Sequence, residues 1–319
     1  MLNDIAKYNN FFEYCVSNDF KKSEFNVNET KVTVLDAGII EFRPKGGTDN
    51  NVLISCGIHG DETIPIEFCN QMIGNILAGV IKIKSNLQIQ YANMQAIIFK
   101  KRYIENNLNR LFSNQIQFNS IEQERAKQLM RLAKKFKQEN PKANNIHFDL
   151  HSSIRKSKYD NFAIYPSNQL INSNQITQCL KRSNIQAVIL SNTKSKTYSN
   201  FTKNINYNSL TLEIGHVGQE NIDVKLFKHA ISNLLQKKPN ISENKLKNFK
   251  VTREIFKKEN KIQFNFDDET ENFTEFQRGS LIGYNNSQEI ITEHEKELIL
   301  FPNQNVNKGE RALLLITPI

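Results

Sequence analysis

Two residues three positions apart, His59 and Glu62, carry the clearest chemical signal in the chain. An apolar run at residues 52–54 precedes them and a helical pattern over residues 66–77 follows, so the pair is predicted where a buried strand gives way to a helix. Proteins that alternate strands with helices place their ligands at such junctions. A catalytic zinc site commonly takes one more histidine and leaves a position open for water, and His151 can supply it. The spacing therefore predicts a metallohydrolase.

The remaining polar residues can be assigned roles by what such chemistry requires. Zinc lowers the pKa of a bound water molecule to roughly 7, and a further carboxylate must take that proton and pass it to the leaving nitrogen, for which Glu213 is the candidate. Guanidinium groups match carboxylates with paired donors, so a substrate with more than one carboxylate is predicted from Arg102, Arg110 and Arg155. We expect Asp149 to orient a histidine ligand from behind.

Each signal has a simpler explanation when it stands alone. A lone His-x-x-Glu is more often a loop without a metal, and His147 is more often a core or surface residue than a ligand. Glu213 alone would be explained as an ion-pair partner or a charge at a strand edge. Asn109 with Arg110 would be explained as a capped turn. Their order and spacing together favour the catalytic interpretation.

Two predicted strands position the site residues. Residues 146–151 alternate in polarity, which places Asp149 and His151 on one face. Residues 209–214 alternate as well, with Glu213 opposite the apolar side. Both strands therefore present their polar residues as a group.

The other elements predict an α/β core. Helical spacing is found over residues 63–79 and again from Ser120, where Gln123 is a candidate capping partner. Residues 31–42 suit one or two strands, and residues 86–99 suit further strand structure. Strands that alternate with helices over the first ~240 residues are typical of an α/β fold.

The length of 319 residues is enough for one large core and a smaller domain. Composition changes near Pro239, and from Phe249 onward the pattern is short and β-like. We therefore expect a catalytic domain over residues 1–240 and a small C-terminal β domain over residues 241–319.

Composition narrows the function classes. No apolar run approaches the ~20 residues of a membrane span, and the N-terminus lacks the apolar core of a signal peptide, so we expect a cytoplasmic protein with no membrane partner. The net charge of +9 allows a nucleic-acid partner, but the lysines are scattered and not interleaved with aromatic residues. We expect no nucleic-acid partner, no disulfides among the four cysteines, and a positive pocket for a small anionic substrate. The oligomeric state is not predicted.

The combination of motifs resembles the succinylglutamate desuccinylase/aspartoacylase family of zinc-dependent hydrolases. The resemblance rests on residues 57–62, Arg102 with residues 108–112, residues 149–151 and residues 211–215, in that order along the chain. It implies a zinc carboxypeptidase-like α/β fold, a mixed sheet flanked by helices, with a smaller C-terminal β domain.

The resemblance also implies roles for individual residues. One Zn²⁺ per chain would be bound by His59, Glu62 and His151, and Glu213 would be the general base. The substrate carboxylate would be bound by Arg102, Asn109 and Arg110.

Within the family, two segments are similar to the succinylglutamate branch. Residues 149–155, Asp-Leu-His-Ser-Ser-Ile-Arg, look like its Asp-Leu-His-Thr-Ala-Ile-Arg pattern, and residues 218–222, followed by Phe227, resemble its Gly-Gln-Asn-Asp-Leu segment. The implied reaction is hydrolysis of an acyl-amino acid, N-succinyl-L-glutamate, to succinate and L-glutamate in arginine catabolism by the succinyltransferase pathway. Deacylation of another N-acyl amino acid such as N-acetylaspartate, or a metallocarboxypeptidase activity, is the alternative.

The chain departs from the family pattern in two places. Asn107 stands where the family usually has aspartate, which would affect the positioning of Arg110 or be neutral, and the stretch over residues 215–218 is short. His216 lies in that stretch, and we expect it to be a loop residue and not a ligand.

Two hypotheses compete with this interpretation. The first is a nucleic-acid-binding protein, and the second is a family member that binds metal without catalysis. The intact Glu213 argues against the second.

Overall fold

A computed structural model describes residues 5–46, 48–113, 119–219 and 224–319. The helices are α1 (Phe11–Val16), α2 (Thr63–Leu77), α3 (Met94–Ile98), α4 (Ile121–Gln138), α5 (Asn174–Arg182), α6 (Tyr198–Asn204) and α7 (Lys225–Leu235), with a 3-10 helix at Leu108–Arg110. The strands are β1 (Ser23–Val27), β2 (Thr30–Asp36), β3 (Ile39–Pro44), β4 (Asn50–Cys56), β5 (Asn86–Tyr91), β6 (Asn144–Ser153), β7 (Asn161–Tyr165), β8 (Ala187–Leu190), β9 (Asn208–His216), β10 (Lys247–Phe256), β11 (Ile262–Phe264), β12 (Glu275–Gln277), β13 (Leu281–Asn285), β14 (Gln288–Ile291), β15 (Lys296–Leu300) and β16 (Arg311–Pro318).

A mixed sheet organises the molecule. Within the described residues it has 13 strands in the order β1-β2-β3-β5-β4-β6-β9-β7-β8-β10-β16-β15-β12. The four neighbours β5, β4, β6 and β9 run parallel, whereas β1, β2 and β3 form an antiparallel edge. Parallel strands are covered on both faces and are therefore largely apolar, and β4 is buried along its whole length.

Helices cover both faces of the central strands. On one face, Ile54 and Phe148 share a core with the apolar sides of α2, α5 and α7. On the other, Leu53 packs in a core that includes Leu129 of α4 and Tyr198 of α6. The helices therefore cover both sides of β4 and β6, and the ends of these strands remain available for a site.

Residues 241–319 extend this sheet and add a second one. Strand β10 pairs in parallel with β8 and antiparallel with β16. Strands β11, β13 and β14 form a separate three-stranded sheet. Its Ile282 is buried in the same hydrophobic cluster as Ile299 and Leu313 of the large sheet. The predicted fold class, a mixed α/β sheet flanked by helices with a smaller C-terminal β region, is confirmed. The domain boundary at residue 240 stays a prediction.

Side-chain capping marks the starts of two helices near the site. The predicted start of α4 is confirmed, because Ser120 Oγ accepts a hydrogen bond from the backbone N of Gln123 at 3.2 Å. The prediction of strand structure throughout residues 86–99 was wrong in its second half. There β5 ends at Tyr91, and Asn93 Oδ1 accepts from the backbone N of Ala96 at 3.2 Å and caps the short helix α3. Among the described residues, no helix combines the length and the apolar character needed to cross a bilayer.

Candidate metal centre and active site

The loop between β4 and α2 carries His59 and Glu62. Glu62 occupies the N-cap position of α2 but makes no side-chain capping bond, so its carboxylate is available to other groups. The loop lies directly against α3, because a Cβ on Gly60 would come within 2.0 Å of the carbonyl carbon of Ala96, and the backbone N of Gly60 donates to the carbonyl O of Lys101 at 3.0 Å. Glycine is therefore required at this position for the loop to adopt its path.

Strand pairing brings the other predicted residues to the same edge of the sheet. The predicted strands over residues 146–151 and 209–214 are confirmed as parts of β6 and β9. In the parallel register, Ser55 of β4 pairs with Asp149 of β6, and His151 of β6 pairs with Glu213 of β9. Three neighbouring parallel strands thus end together beside the loop that carries His59, as the carboxyl ends of such strands do in α/β folds.

His59, Glu62 and His151 converge in a buried cluster. The distance from Glu62 Oε1 to His59 Nδ1 is 2.7 Å, and that from Glu62 Oε2 to His151 Nδ1 is 3.0 Å. One ligand atom from each residue lies within 4.8 Å of the others. Burial favours the neutral form of Glu62, but the facing histidines hold the pKa of its carboxyl well below the ordinary value. Two imidazoles and one carboxylate form the protein ligand set of a catalytic zinc site.

The outer faces of both histidines also suit a metal. Asp149 Oδ2 and His151 Nε2 lie 3.4 Å apart, and both are buried polar atoms without a hydrogen bond. His59 Nε2 lies 3.2 Å from Asn107 Oδ1. A histidine that binds metal usually donates its other ring N–H to a carboxylate or carbonyl oxygen. A metal bound by the two Nδ1 atoms would leave both Nε2–H groups directed at such acceptors, so these residues fit a metal ion.

Glu213 lies buried beside this cluster. Its Oε2 accepts a hydrogen bond from Ser153 Oγ at 3.3 Å. Burial raises the pKa of Glu213 to about 7, with a smaller increase from the charge of Glu62 and decreases from the charges of His151 and Arg102. A carboxyl group with this pKa can exchange a proton near neutral pH.

Arg102 and the 3-10 helix lie at the rim of the cluster. Arg102 is one-third exposed (33%), and its Nη1 lies 3.4 Å from Glu62 Oε1. Asn109 Oδ1 accepts from the backbone N of Tyr198 at 3.4 Å, and Arg110, which is exposed, donates from Nη1 to the carbonyl O of Asn109 at 3.1 Å. Of the three, Arg102 contacts a metal-site residue directly, and the carboxylate-binding roles of all three stay predictions.

Arg155 has partners in the C-terminal region. Its Nη1 donates to the carbonyl O of Thr270 at 3.2 Å, and its Nη2 donates to that of Pro302 at 3.1 Å. These bonds tie the segment after His151 to residues 241–319. A contact between Arg155 and substrate stays a prediction.

Glu122 supports the loop that carries Arg102. Sequence patterns did not indicate this role of Glu122. Its side chain is buried and accepts hydrogen bonds from the backbone N atoms of Ile104 (2.8 Å), Glu105 (3.2 Å) and Asn106 (3.3 Å). In the sequence it resembles any acidic residue in the first turn of a helix, where the helix dipole favours negative charge. Its partners lie 16 to 18 residues earlier, so no local pattern reveals the contact.

Asn107 acts in a different place from the one expected. Its Oδ1 faces His59 Nε2 and also accepts from the backbone N of Asn109 at 3.0 Å. The exchange of aspartate for asparagine noted in the sequence therefore concerns the support of His59, while Arg110 donates a hydrogen bond to the carbonyl O of Asn109.

The short stretch over residues 215–218 begins at the end of β9. The prediction that His216 lies in a loop was wrong, because His216 is the last residue of β9 and pairs with Ser153 of β6. Its backbone N donates to Gln219 Oε1 at 3.2 Å. Residues 220–222 of the segment that resembles the succinylglutamate branch lie outside the described residues.

Comparison with known proteins gives consistent matches over most of the chain. Residues 48–236 match the family model "Succinylglutamate desuccinylase/Aspartoacylase catalytic domain", and residues 244–319 match "AstE/AspA barrel-sandwich hybrid domain". The succinylglutamate desuccinylase of Vibrio campbellii is 32% identical over 302 residues, covering 92% of this chain and 88% of that protein. The same enzyme of Shewanella frigidimarina is 31% identical over 341 residues, covering 100% and 98%. The X-ray structure of the Vibrio parahaemolyticus protein superimposes with a TM-score of 0.91 at 31% identity, covering 98% of this chain and 95% of that one.

Proposed function

Because the chain belongs to the succinylglutamate desuccinylase/aspartoacylase family, we propose that it is a zinc-dependent amidohydrolase that converts N-succinyl-L-glutamate to succinate and L-glutamate. The observation that carries the proposal is the convergence of His59, Glu62 and His151 within 4.8 Å, with Glu213 next to His151 in the strand register. Relatives named for this activity, similar over nearly the whole chain, support the choice of substrate.

The proposed reaction depends on two functions of the site, metal binding and proton transfer. His59, Glu62 and His151 would hold the zinc ion, which supplies a Lewis acid that activates water and polarises the scissile carbonyl at neutral pH. Glu213 would accept the proton of the attacking water and then deliver it to the amine nitrogen of the departing glutamate. Its burial and its pKa of about 7 suit a group that must both take up and release a proton.

The proposed substrate explains the cationic rim. N-succinylglutamate carries three carboxylates, and a guanidinium binds a carboxylate through paired N–H donors. Arg102 lies beside Glu62 and retains enough exposure to meet a ligand. We assign Arg102 to one substrate carboxylate and place Asn109 and Arg110 at the same rim.

The direct test is succinate release by the purified protein. The enzyme is assayed on N-succinylglutamate and, in parallel, on N-acetylaspartate, before and after removal of metal with a chelator and after reconstitution with Zn²⁺. We expect release from the succinyl substrate, loss of release on chelation and recovery with zinc. Zinc binding without release of succinate from N-succinylglutamate would refute the proposed substrate, and release of acetate from N-acetylaspartate instead would support the alternative. Chelator-resistant release would refute the metal mechanism.

A pair of adjacent variants tests the role of the rim. Arg102→Ala should raise KM for N-succinylglutamate by one to two orders of magnitude with metal content unchanged, because a charge-assisted hydrogen bond is worth roughly 1.5–3 kcal/mol. Lys101→Ala is the matched control, since Lys101 is an exposed cation one residue away. Equal KM values for the two variants would argue against the assignment of Arg102.

A further inference from the structure

A row of five buried polar side chains extends from the metal site into the core and has no part in the proposed chemistry. It begins at Asp149, whose Oδ1 lies 2.6 Å from Ser55 Oγ, and Ser55 Oγ lies 2.8 Å from His147 Nε2. On its far side, His147 Nδ1 lies 2.7 Å from Thr202 Oγ1, which lies 2.6 Å from Ser209 Oγ. All five residues have no exposed surface. The row is therefore isolated from solvent, and its hydrogens can go only to its own members or to neighbouring backbone carbonyl groups.

The strand register explains how the row forms. Ser55 pairs with Asp149 between β4 and β6, and His147 pairs with Ser209 between β6 and β9. Side chains of paired residues lie on the same face of a sheet, and Thr202 of α6 covers that face. Three strands and one helix thus meet through hydrogen bonds where apolar side chains would be usual.

The direction of each hydrogen bond follows from the number of hydrogens available. An ionised carboxylate only accepts, and a hydroxyl has one hydrogen to give. Ser55 must therefore donate to Asp149, so His147 Nε2 must carry a hydrogen and donate to Ser55. If His147 is neutral, its Nδ1 is an acceptor, Thr202 donates to it, and Ser209 donates to Thr202.

The one alternative is a charged His147 that donates from both nitrogens, with Thr202 donating to a backbone carbonyl of its own helix. Burial opposes that charge and lowers the pKa of His147 to about 4, against a smaller increase from Asp149. The neutral form with the hydrogen on Nε2 is therefore the form that this row holds at neutral pH.

We propose that Ser209, Thr202, His147 and Ser55 form a one-directional hydrogen-bond chain that fixes the Asp149 carboxylate and so positions His151 for metal binding. Asp149 Oδ1 is held by Ser55, and this leaves Oδ2 facing His151 Nε2 at 3.4 Å. The inference rests on the proposed function in taking His151 as a metal ligand, and it makes the four residues positioning residues and not catalytic ones.

The hydrogen-bond chain matters because Ser55 Oγ donates a short hydrogen bond, at 2.6 Å, to the Asp149 carboxylate. Its Oδ2 has no hydrogen bond, so loss of the Ser55 contact would allow the carboxylate to rotate. Acceptors behind a metal-bound histidine typically contribute 10–100-fold to metal affinity. A residue one bond further away should contribute less, and we expect roughly three- to thirty-fold.

The first test measures the zinc affinity of the full-length protein by competition with a chromophoric chelator, with no substrate present. The variants are Ser55→Ala and His147→Phe, with Asp149→Asn as the reference for direct support. Ser183→Ala is the matched control, because Ser183 is also buried and donates one hydrogen bond, to the carbonyl O of Cys179 at 2.7 Å, but lies at the end of α5. Thermal melting of each metal-free variant measures the purely structural cost.

We expect Ser55→Ala to bind zinc three- to thirty-fold more weakly than Ser183→Ala and to alter the visible absorption of the cobalt-substituted protein. Zinc affinity and cobalt spectra equal to those of Ser183→Ala would overturn the proposal. Because zinc binding is measured without substrate, a wild-type protein that binds zinc but does not release succinate would refute the proposed substrate and leave this inference intact.

The second test observes the wild-type protein and uses a variant only to assign the signals. Nitrogen-15 spectra of the wild-type protein, labelled at histidine and assigned with His147→Phe or, if that variant does not fold, His147→Gln, report which ring nitrogen of His147 carries hydrogen. We expect Nε2 protonated and Nδ1 unprotonated throughout pH 6–8. A hydrogen on Nδ1 in that range would reverse or break the chain and would overturn its proposed direction.

Discussion

Replacement of Glu213 by glutamine tests both the burial of this carboxyl and its chemical role. Burial raises the pKa of Glu213 from 4.5 to about 7 in the folded protein. In the unfolded chain the carboxyl should ionise near its ordinary value. Between those two pH values the folded state holds a proton that the unfolded state lacks, so the free energy of unfolding falls as pH rises. The contribution is fully present below about pH 4.5 and is lost as pH rises through about 7.

The size of the effect follows from the shift. One pKa unit corresponds to about 1.4 kcal/mol, so the rise from 4.5 to about 7 corresponds to about 3 kcal/mol. Glutamine has nearly the same shape and does not titrate. The loss of unfolding free energy between pH 5 and pH 8 should therefore be smaller in Glu213→Gln than in the wild type, by up to about 3 kcal/mol.

Urea unfolding of the metal-free protein at several pH values measures this difference. Glu67→Gln serves as the control, because Glu67 is an exposed glutamate of α2, and its pH profile should parallel that of the wild type. Parallel profiles for Glu213→Gln and the wild type would refute the account based on burial. With zinc bound, Glu213→Gln should retain the metal and lose turnover by ~10²–10⁴-fold, and full activity would refute its role as the proton carrier.

Three further predictions concern the loops around the metal site. Asn107→Asp gives His59 a charged acceptor and should tighten zinc binding roughly three- to tenfold in a chelator competition assay, because a charged acceptor strengthens the hydrogen bond; weaker binding would contradict this. Glu122→Gln turns an amide donor toward backbone N–H groups, which should lower the unfolding free energy by about 1–3 kcal/mol. We also expect it to raise KM while zinc content is unchanged. An unchanged KM would show that the position of the loop does not depend on the Glu122 carboxylate. Gly60→Ala should abolish zinc binding in calorimetry, because its methyl group overlaps the backbone at Ala96, and a folded variant with wild-type affinity would disprove the close approach.

The cluster of His59, Glu62 and His151 could be predicted from the sequence because its geometry depends on local periodicity. Alternation over residues 146–151 and 209–214 places polar residues on one face of each strand, and parallel neighbours then bring His151 and Glu213 into register. The His59 and Glu62 pair needed only the transition from strand to helix, which the apolar pattern indicates. These features depend on residues near one another in the sequence, and the structure has them where the pattern places them.

The support of the site could not be predicted in the same way. Glu122 contacts a loop at residues 104–106, and Arg155 contacts carbonyl groups at Thr270 and Pro302, more than 100 residues away. Asn107 stands in a motif that pointed to Arg110, yet its side chain faces His59. Each of these contacts depends on how separate segments pack, and the residue type alone is equally common on a solvated surface.

The difference between the two kinds of residue has a consequence for specificity. The proposed metal ligands and Glu213 lie near strand ends or at a helix start, next to the buried cores on both faces of the sheet. The proposed chemistry should therefore tolerate substitutions elsewhere. Arg102 lies in a loop whose next residues, 104–106, donate three backbone hydrogen bonds to one buried carboxylate, that of Glu122. A substitution at Glu122 should therefore change which anionic substrate is bound before it changes the hydrolytic step. If relative kcat/KM for N-succinylglutamate and N-acetylaspartate shifts in Glu122→Gln while zinc affinity does not, substrate choice and metal chemistry are set by separate parts of the fold.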